Sequence, residues 1–415
     1  MRTLNKVALF SKEYPPYVYG GAGVHVEYLS RALARLIEVE VRCFGDQKAF
    51  AANPAVHGYA EWQGAKEHTD PRFAGAVDAF ARSLAMAKDR LDVDVVHCHT
   101  WYTDMGGVLA SKLWNVPYVL TIHSLEPLRP WKVEQLGNAY HLSAWMERTA
   151  IEQADAIIAV SRETRADVLR LFDVEPERVH VIHNGIDPAE YRPVEGRDAL
   201  IRYGIDPERP YLLFVGRITR QKGIMHLVNA IPAIDPKLQI VLCAGAPDTP
   251  EIAREMEDGV ARVAGQRQAV IWVREMVARP DVIQLYTHAA VFCCPSVYEP
   301  FGIINLEAMA CETAVVASAV GGIPEVVVAG ETGLLVDPHL QPGTFDPAEP
   351  AAFSAGLADA INCLARDPEF RHRLGINGRK RAVVHFSWDS IAQRTTELYR
   401  SLLERPPRQD GGVQN

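Results

Sequence analysis

Short apolar segments alternate with amphipathic helical patterns along most of this 415-residue chain. Segments rich in Val and Ile, without polar alternation, are typical of parallel strands that helices cover on both faces. In the first half, the strands are predicted at residues 7–11, 39–44, 93–98, 116–122 and 156–160. The pattern then restarts, with strands predicted at residues 211–215, 238–244, 269–272, 291–295 and 314–318.

A chain of this length exceeds the size of one ordinary hydrophobic core. We therefore predict two consecutive α/β domains, each a Rossmann-like, doubly wound parallel sheet, at 1–190 and 205–386. The boundary is expected in 184–209, which is rich in proline and contains an Asn-Gly turn. The helical segment 387–404 is predicted to return to the first domain, and 405–415 is predicted to be a disordered tail.

The composition excludes several classes of partner and location. A net charge of −9 argues against a nucleic acid or a membrane surface as a partner. No apolar run reaches transmembrane length, and the first residues lead into a strand rather than into a signal-peptide core. The seven cysteines show no Cys-x-x-Cys spacing, so we expect reduced thiols and a cytoplasmic location. The sequence leaves open whether the chain forms a homo-oligomer.

The segment 295–311 is the most informative stretch for function. Glu299 is predicted on a loop after a buried strand, and Glu307 about one turn inside a helix that begins at Ile303. The helix N-terminus between them offers N–H groups and a partial positive charge to an anion. Two carboxylates beside a phosphate-binding helix end would suit a nucleotide-sugar, with backbone contacts predicted from Phe301, Gly302, Ile303 and Ile304. The alternative is a surface helix with solvated glutamates.

Two other motifs follow predicted strands and could bind a diphosphate. Gly20 and Gly21 precede the first helix, where adjacent glycines let the backbone approach a phosphate closely. Arg217 and Lys222 follow the first strand of the second half, where their charges would neutralise a diphosphate. The alternatives are a bare glycine turn and a solvated basic turn.

Histidines also lie at predicted strand ends. His97 and His99 share one face of a strand, and His123 follows the next strand. A metal pair is conceivable, but no carboxylate or thiol lies at ligand spacing, so structural or substrate-contacting histidines are favoured and no metal is expected. The segment 320–325 has paired glycines that could admit a ligand, and its Glu325 could contact a sugar or a base, or cap a helix. Together the motifs describe an interdomain cleft for a nucleotide diphosphate-sugar.

Nearly the whole chain resembles the bacterial glycogen synthases of retaining glycosyltransferase family 4, above all the short actinobacterial group. The segments 123–132 and 217–223 look nearly the same as in that group. The resemblance implies a GT-B fold, two Rossmann-like domains with the site between them. It implies that Arg217 and Lys222 hold the donor diphosphate and that Glu307 binds the ribose hydroxyls.

By the same resemblance, Glu299 contacts the transferring glucose, His123 lies beside the reacting sugar, and the Gly20–Gly21 loop closes on the donor phosphates. One departure concerns that loop. The long glycogen synthases carry a Lys-x-Gly-Gly sequence, whereas here Tyr19 directly precedes Gly20, and Lys12 lies eight residues before it. A direct lysine contact from the loop is therefore not expected.

The expected function is an ADP-glucose-dependent, retaining α-1,4-glucosyltransferase that needs no cofactor and no metal. Its acceptor is an α-1,4-glucan or α-glucose 1-phosphate, and the latter would give α-maltose 1-phosphate. Arg129 and Lys132, which flank Trp131, could bind an acceptor phosphate; alternatively, they pair with nearby glutamates and fix the loop. The remaining alternatives are a GT-B transferase using a UDP- or GDP-sugar, a sugar-nucleotide epimerase and a non-catalytic nucleotide-binding module.

Overall fold

The computed structural model describes residues 3–67, 69–131 and 139–404, without the side chains of residues 65 and 66. The predicted tail at 405–415 and the candidate Lys132 lie outside these residues. The chain divides into two compact units. Unit 1 comprises Met1–Gly185 with Trp388–Asn415, and unit 2 comprises Ile186–Ser387.

Strands and helices alternate along the described residues. The strands of unit 1 are β1 Lys6–Ser11, β2 Glu38–Phe44, β3 Lys48–Ala49, β4 Ala55–Tyr59, β5 Val95–His99, β6 Tyr118–Ile122, β7 Ala156–Ala159 and β8 Val179–Val181. The strands of unit 2 are β9 Tyr211–Arg217, β10 Gln239–Gly245, β11 Val270–Val273, β12 Val291–Cys294, β13 Ala314–Ser318 and β14 Gly333–Val336.

The helices of unit 1 are Gly21–Leu33, Gly64–Glu67, Ala74–Lys88, Trp101–Trp114, Ala139–Gln153, Arg162–Leu171 and Trp388–Glu404. Those of unit 2 are Asp198–Arg202, Ile224–Ala230, Pro250–Ala264, Arg279–His288, Ile303–Ala310, Ile323–Val326, Pro350–Arg366 and Pro368–His385. Short 3-10 turns lie at Glu126–Leu128, Pro176–Arg178, Arg220–Lys222 and Ile231–Ala233.

The sheet of unit 1 has the order β3-β4-β2-β1-β5-β6-β7-β8. All neighbouring strands are parallel except β3, which pairs antiparallel with β4. The predicted parallel sheet is confirmed. The sequence did not predict β3, β4 or β8, because each is short and carries polar residues or glycine that weaken the strand pattern.

Both faces of this sheet are buried, so alternate residues of one strand enter different cores. Val7 and Leu9 of β1 pack with the helices Gly21–Leu33 and Trp388–Glu404, whereas Ala8 and Phe10 pack on the opposite face. Period-two alternation places side chains on opposite faces in the same way along β5. Each large apolar side chain buried in this way stabilises the fold by about 1.5–3 kcal/mol.

The sheet of unit 2 has the order β11-β10-β9-β12-β13-β14, and its neighbouring strands are parallel. The first strand of each unit thus lies inside its sheet, and the strand order reverses beside it. The reversals fall between β1 and β5 in unit 1 and between β9 and β12 in unit 2. Ligands of open α/β sheets bind at such points, beyond the carboxyl ends of the strands.

Within the described residues, no helix is both long enough and apolar enough to cross a membrane.

Candidate active site

The strand-order reversal of unit 2 carries a buried ion pair. Lys222 ends the 3-10 turn that follows β9, and the Thr219 hydroxyl oxygen caps this turn by accepting from the Lys222 N–H. The Lys222 Nζ lies 2.6 Å from Glu299 Oε2. The Ser296 hydroxyl donates to the same carboxylate oxygen at 3.2 Å. Burial lowers the pKa of Lys222, but the charge and hydrogen bond of Glu299 together with nearby Cys294 outweigh burial, so the pKa is raised and the ammonium stays charged.

Arg217, the second predicted cation, is the last residue of β9. Its guanidinium donates to Asp248 Oδ1 at 2.9 Å, and the side chain of Asp248 is only 9% exposed. Asp248 follows the neighbouring strand β10 and was not predicted as a site residue. Each of the two cations therefore has a carboxylate partner that an incoming diphosphate could replace.

The helix Ile303–Ala310 begins at the residue that the sequence predicted. Its N-cap residue Gly302 has a φ of 100°, a left-handed conformation that favours glycine, and no side chain caps the first turn. Phe301 is buried against Phe386, with ring centroids 5.9 Å apart. The N–H groups at Ile303 and Ile304 thus form an uncapped helix end next to Glu299, which is suited to a phosphate.

Glu307 lies one turn further along this helix and accepts two hydrogen bonds. The hydroxyl of Tyr191 donates at 3.1 Å and that of Tyr286 at 3.0 Å. Burial raises the pKa of Glu307, although both tyrosine bonds lower it in part. Two phenols orient a carboxylate that could accept from sugar hydroxyls.

The paired glycines of the segment 320–325 contact the backbone of Glu299. Gly321 has a φ of 53°, and a Cβ there would lie 2.0 Å from the Glu299 carbonyl oxygen. The Gly322 N–H donates to the same oxygen at 2.9 Å. This loop therefore fixes the position of Glu299, and the backbone carbonyl of Glu325 accepts from Arg381 at 2.8 Å.

In unit 1, an internal carboxylate occupies the glycine loop after β1. Glu13 Oε2 accepts from the N–H groups of Tyr19 and Gly20, each at 2.8 Å, just before the helix Gly21–Leu33. A Cβ at Gly23 would lie 2.7 Å from the same oxygen, so the loop needs glycine there. The predicted anion position at Gly20 and Gly21 thus holds a side-chain anion of the protein itself.

The histidines at the strand ends lie close together, with His97 and His99 buried and His123 partly exposed. His97 bonds to the Tyr399 hydroxyl at 2.6 Å and to the Thr121 hydroxyl at 2.7 Å, so both of its ring nitrogens are used within the core. His99 Nδ1 lies 3.2 Å from His123 Nε2. Burial lowers the pKa of all three rings well below the usual range, so they are neutral at physiological pH.

Arg129 forms the contact that the alternative interpretation predicted. Its guanidinium donates to the Ser124 hydroxyl at 3.2 Å and to Glu126 Oε1 at 3.3 Å. The Glu126 N–H in turn donates to Glu147 Oε2 at 3.0 Å, and burial raises the pKa of Glu147 well above its usual range. Arg129 therefore helps to fix the loop that follows His123.

A cavity of about 1030 Å³ opens in unit 1 beyond the carboxyl ends of the strands. Trp101 and Tyr102 line it with stacked rings, 4.0 Å between centroids, and Tyr17 and Tyr19 line it with side chains that are more than half exposed. Lys12 also lines it, with Nζ 3.8 Å from the centroid of the Tyr102 ring. Within the residues that the structure describes, Lys12 forms no ion pair, so its charge is available to a bound anion.

Sequence reasoning missed four polar partners of the predicted site residues. Glu13 and Asp248 each follow a strand within three residues, and that position was a usable signal. Tyr191 and Tyr286 reach Glu307 from segments that are 116 and 21 residues away in the chain. No local pattern marks them.

Comparisons with known proteins identify the family of the chain. Residues 19–190 match the family described as Glycosyltransferase Family 4, and residues 199–381 match Glycosyl transferases group 1. The solved structure of sucrose-phosphate synthase from Thermosynechococcus elongatus is 27% identical, with a TM-score of 0.75 over 96% of this chain and 99% of that one.

Relatives from two species carry the name alpha-maltose-1-phosphate synthase. The protein from Mycolicibacterium smegmatis is 50% identical over 406 residues, which cover 96% of this chain and 99% of the relative. The protein from Mycobacterium tuberculosis is 46% identical over 404 residues, with the same coverage. The chain therefore belongs to glycosyltransferase family 4, and it is a sugar-transferring enzyme with the GT-B fold.

Proposed function

We propose that this enzyme transfers a glucosyl group from ADP-glucose to α-glucose 1-phosphate, with retention, and so makes α-maltose 1-phosphate. The observation that carries this proposal is the 50% identity, over almost the whole length of both chains, to a protein named alpha-maltose-1-phosphate synthase. In this proposal unit 2 binds the donor and unit 1 binds the acceptor.

The contacts of unit 2 support the donor part of the proposal. The leaving group is a nucleoside diphosphate, so its negative charge must be stabilised as the glycosidic bond breaks. Lys222 and Arg217 are each held in place by a carboxylate. The uncapped helix end at Ile303 follows Glu299, the partner of Lys222, by four residues in the chain. Glu307, oriented by two tyrosines, is assigned to the ribose hydroxyls, and Glu299 to the hydroxyls of the glucose.

The proposed glucosyl transfer needs no reactant besides the donor and the acceptor. The bond from glucose C1 to the diphosphate oxygen breaks, and a bond from C1 to the acceptor 4-hydroxyl oxygen forms on the same face. The proton of that hydroxyl passes to the departing diphosphate, and the transition state resembles an oxocarbenium ion. His123 is neutral, so it is assigned to orienting a sugar hydroxyl beside the reacting carbon.

The cavity of unit 1 supports the acceptor part of the proposal. A phosphorylated monosaccharide needs a cation for its phosphate and an apolar surface for its sugar ring. Lys12 supplies a charge within the cavity, and the stacked rings of Trp101 and Tyr102 supply the surface. Arg129 remains a second candidate for the phosphate, although Glu126 already neutralises part of its charge.

An α-1,4-glucan is the second candidate acceptor. Tyr17 and Tyr19 expose 54% and 55% of their surface at the cavity, and exposed aromatic side chains suit the faces of a longer sugar chain. A glucan has no phosphate, so its affinity would not depend on Lys12.

Turnover with matched acceptors tests the proposal. The enzyme is incubated with ADP-glucose and either α-glucose 1-phosphate or maltoheptaose, and ADP release is followed while mass spectrometry identifies the product. We expect a disaccharide phosphate as the main product. Turnover of maltoheptaose alone would favour a glycogen synthase, and faster turnover with UDP- or GDP-glucose would replace the donor assignment.

Charge-removing variants locate the acceptor phosphate. Lys12→Ala is expected to raise KM for α-glucose 1-phosphate at least tenfold, because a charged contact contributes about 1.5–3 kcal/mol, and to leave KM for maltoheptaose nearly unchanged. Arg129→Ala tests the second candidate in the same way. Lys88→Ala, at an exposed helix end, is the matched control. Equal effects of Lys12→Ala on both acceptors would contradict the assignment.

A cytoplasmic location is the last part of the proposal. It rests on the seven cysteines, all of which are free thiols in the structure. Fractionation of cells that produce the enzyme, with a periplasmic or secreted marker as control, tests it.

A further inference from the structure

Three histidines of unit 1 converge from different elements. His25 lies on the helix Gly21–Leu33, His99 ends β5, and His123 follows β6. One ring nitrogen from each lies within 4.8 Å of the other two. His25 and His99 are buried, and His123 is partly exposed. The sequence placed His99 and His123 at one sheet edge, but no pattern in it marks His25.

A hydrogen bond fixes the tautomer of His25. Its Nδ1 lies 2.7 Å from the Asn184 side-chain oxygen, which can only accept, so Nδ1 carries the proton. The Nε2 atom of His25 is then a bare lone pair. That atom is buried and, among the residues described, has no hydrogen-bond partner. Metal-binding histidines in proteins are commonly oriented in this way, with the other ring nitrogen donating to an oxygen.

We propose that His25, His99 and His123 bind one divalent transition-metal ion of the Zn²⁺ class. In a tetrahedral zinc site with Zn–N bonds of about 2.0–2.1 Å, ligand nitrogens lie roughly 3.4 Å apart. His99 Nδ1 and His123 Nε2 are already 3.2 Å apart, and the His25 ring centroid lies 4.6 Å from that of His123. Side-chain rotations, with the proton between His99 and His123 moving to another ring nitrogen of the same residue, would therefore complete three ligands.

The donor set selects the class of metal. Imidazole nitrogens suit Zn²⁺, Co²⁺, Ni²⁺ and Cu²⁺, whereas Mg²⁺ and Ca²⁺ require oxygen ligands. No Asp, Glu or Cys joins the three histidines as a ligand among the residues that the structure describes. The site is therefore expected to ignore Mg²⁺.

The expected consequence of binding is inhibition, and this part alone rests on the proposed function. A metal ion would bind His123 Nε2, the nitrogen that now faces His99, and would fix the orientation and tautomer of the ring, so His123 could no longer adjust to the reacting sugar. Catalysis itself needs no metal in this view, so chelator treatment should leave activity intact and added Zn²⁺ should lower it.

A direct binding measurement tests the site without using activity. The full chain is treated with a chelator, dialysed and titrated with Co²⁺, and the visible absorption of tetrahedral Co²⁺ is recorded before displacement with Zn²⁺. We expect saturation at one Co²⁺ per chain and no competition from Mg²⁺. Absence of these bands together with absence of Zn²⁺ binding by calorimetry would overturn the proposal.

Variants assign the ligands. His25→Gln should weaken Co²⁺ and Zn²⁺ binding at least tenfold, and His339→Gln, at an exposed histidine of unit 2, should not change it. Asn184→Ala keeps all three ligands but releases the His25 ring, so it should weaken binding about 10–100-fold. A thermal melt first shows that each variant is folded. If folded His25→Gln or Asn184→Ala binds Co²⁺ and Zn²⁺ as tightly as the parent, the proposed site is wrong. Zn²⁺ binding without inhibition would instead contradict the role of His123 and leave the metal site standing.

Discussion

The two strand-order reversals hold different chemistry although both lie beside the first strand of a parallel sheet. In unit 2, the side chains are ion pairs and a hydrogen-bonded carboxylate: Lys222 with Glu299, Arg217 with Asp248, and Glu307 with two tyrosines. In unit 1, the ends of β5 and β6 carry neutral histidines, buried at His99 and partly exposed at His123, and aromatic rings line a cavity of the same unit.

The difference follows from what each site is proposed to bind. A diphosphate brings negative charge, so cations that are already positioned cost little reorganisation when the leaving group departs. The histidines of unit 1 are assigned to a sugar hydroxyl, which brings no charge, so neutral donors and acceptors suffice there, and the acceptor phosphate is assigned to Lys12 instead. The same fold thus supports a charged site in unit 2 and a neutral histidine cluster in unit 1 through the residues that follow each strand.

The largest expected effect is the loss of a cation in unit 2. Lys222→Ala should lower kcat about 10²–10³-fold, because removing one preorganised contact to a developing charge costs about 3–4 kcal/mol. Arg217→Ala should act similarly. Steady-state kinetics with ADP-glucose measures both.

Arg220→Ala is the matched control for this prediction. Arg220 lies on the same turn as Lys222, but its side chain is 53% exposed and 3.7 Å from Glu255. Its removal should change kcat by no more than about twofold, as for an ordinary surface substitution. Near-normal turnover in Lys222→Ala would show that the charged site of unit 2 does not hold the leaving group.

Variants of Glu307 and Glu299 should affect different steps, donor binding for Glu307 and turnover for Glu299. Glu307→Ala should raise the dissociation constant of ADP about 10–100-fold, because it removes charge-assisted hydrogen bonds of about 1.5–3 kcal/mol. Glu299→Ala should mainly lower kcat, since this carboxylate is assigned to the glucose. Calorimetry with ADP measures the first and kinetics the second.

Tyr286→Phe gives a graded comparison for Glu307. It removes one of the two phenols that orient the carboxylate but keeps the charge, so the ADP affinity should fall only about fivefold. If Glu307→Ala binds ADP like the parent enzyme, the ribose assignment is wrong.

The neutral histidines of unit 1 predict a pH-dependent stability. The pKa of His25 is about 4 in the folded chain, whereas an ordinary histidine has a pKa of 6.5, so the unfolded state takes up the proton first as pH falls. Stability is complete above pH 6.5 and is lost progressively down to about pH 4. From pH 7 to pH 5 this group should cost about 2 kcal/mol of the free energy of unfolding.

His25→Gln checks this dependence, because glutamine does not titrate. In denaturant unfolding, the variant should lose about 2 kcal/mol less than the parent between pH 7 and pH 5. An unchanged pH slope would mean that His25 is not neutral and buried in the folded state.

The smallest effect is expected at the glycine loop of unit 1. Glu13→Ala removes the carboxylate that occupies the Tyr19 and Gly20 N–H groups, so an anion could bind this helix end in its place. If this loop closes on the donor phosphates, as the family resemblance implies, the affinity for ADP should rise about two- to fivefold, because charge interactions at a helix N-terminus contribute about 0.3–1 kcal/mol.

Calorimetry with ADP measures this change, and Glu61→Ala, an exposed carboxylate of unit 1, serves as the control. Weaker ADP binding in Glu13→Ala would show that Glu13 supports the loop rather than competing with a ligand.

Most of the fold could be predicted from the sequence, because strand periodicity is a local property of the chain. The ten predicted strands all exist, and the helix at Ile303 starts where expected. The short strands β3, β4, β8 and β14 were missed, since neighbouring strands rather than their own residues hold them in the sheet.

The candidate site could be predicted only in part. The sequence placed Lys222 and Glu299 after neighbouring strands, and because parallel strands end at one edge of the sheet, the two side chains meet there. The hydrogen-bond partners of the site residues could not be predicted, because hydrogen bonds such as that from Tyr191 to Glu307 join segments far apart in the chain.

The sequence by itself determined the two parallel sheets and the charged residues at their edge, since strand pattern and residue type are properties of the local sequence. Only the tertiary structure decided which carboxylate neutralises which cation, that Glu13 fills the glycine loop, and that His25 joins His99 and His123. Pairing and burial depend on distances between elements, and those distances are set by packing of the whole unit rather than by any single segment.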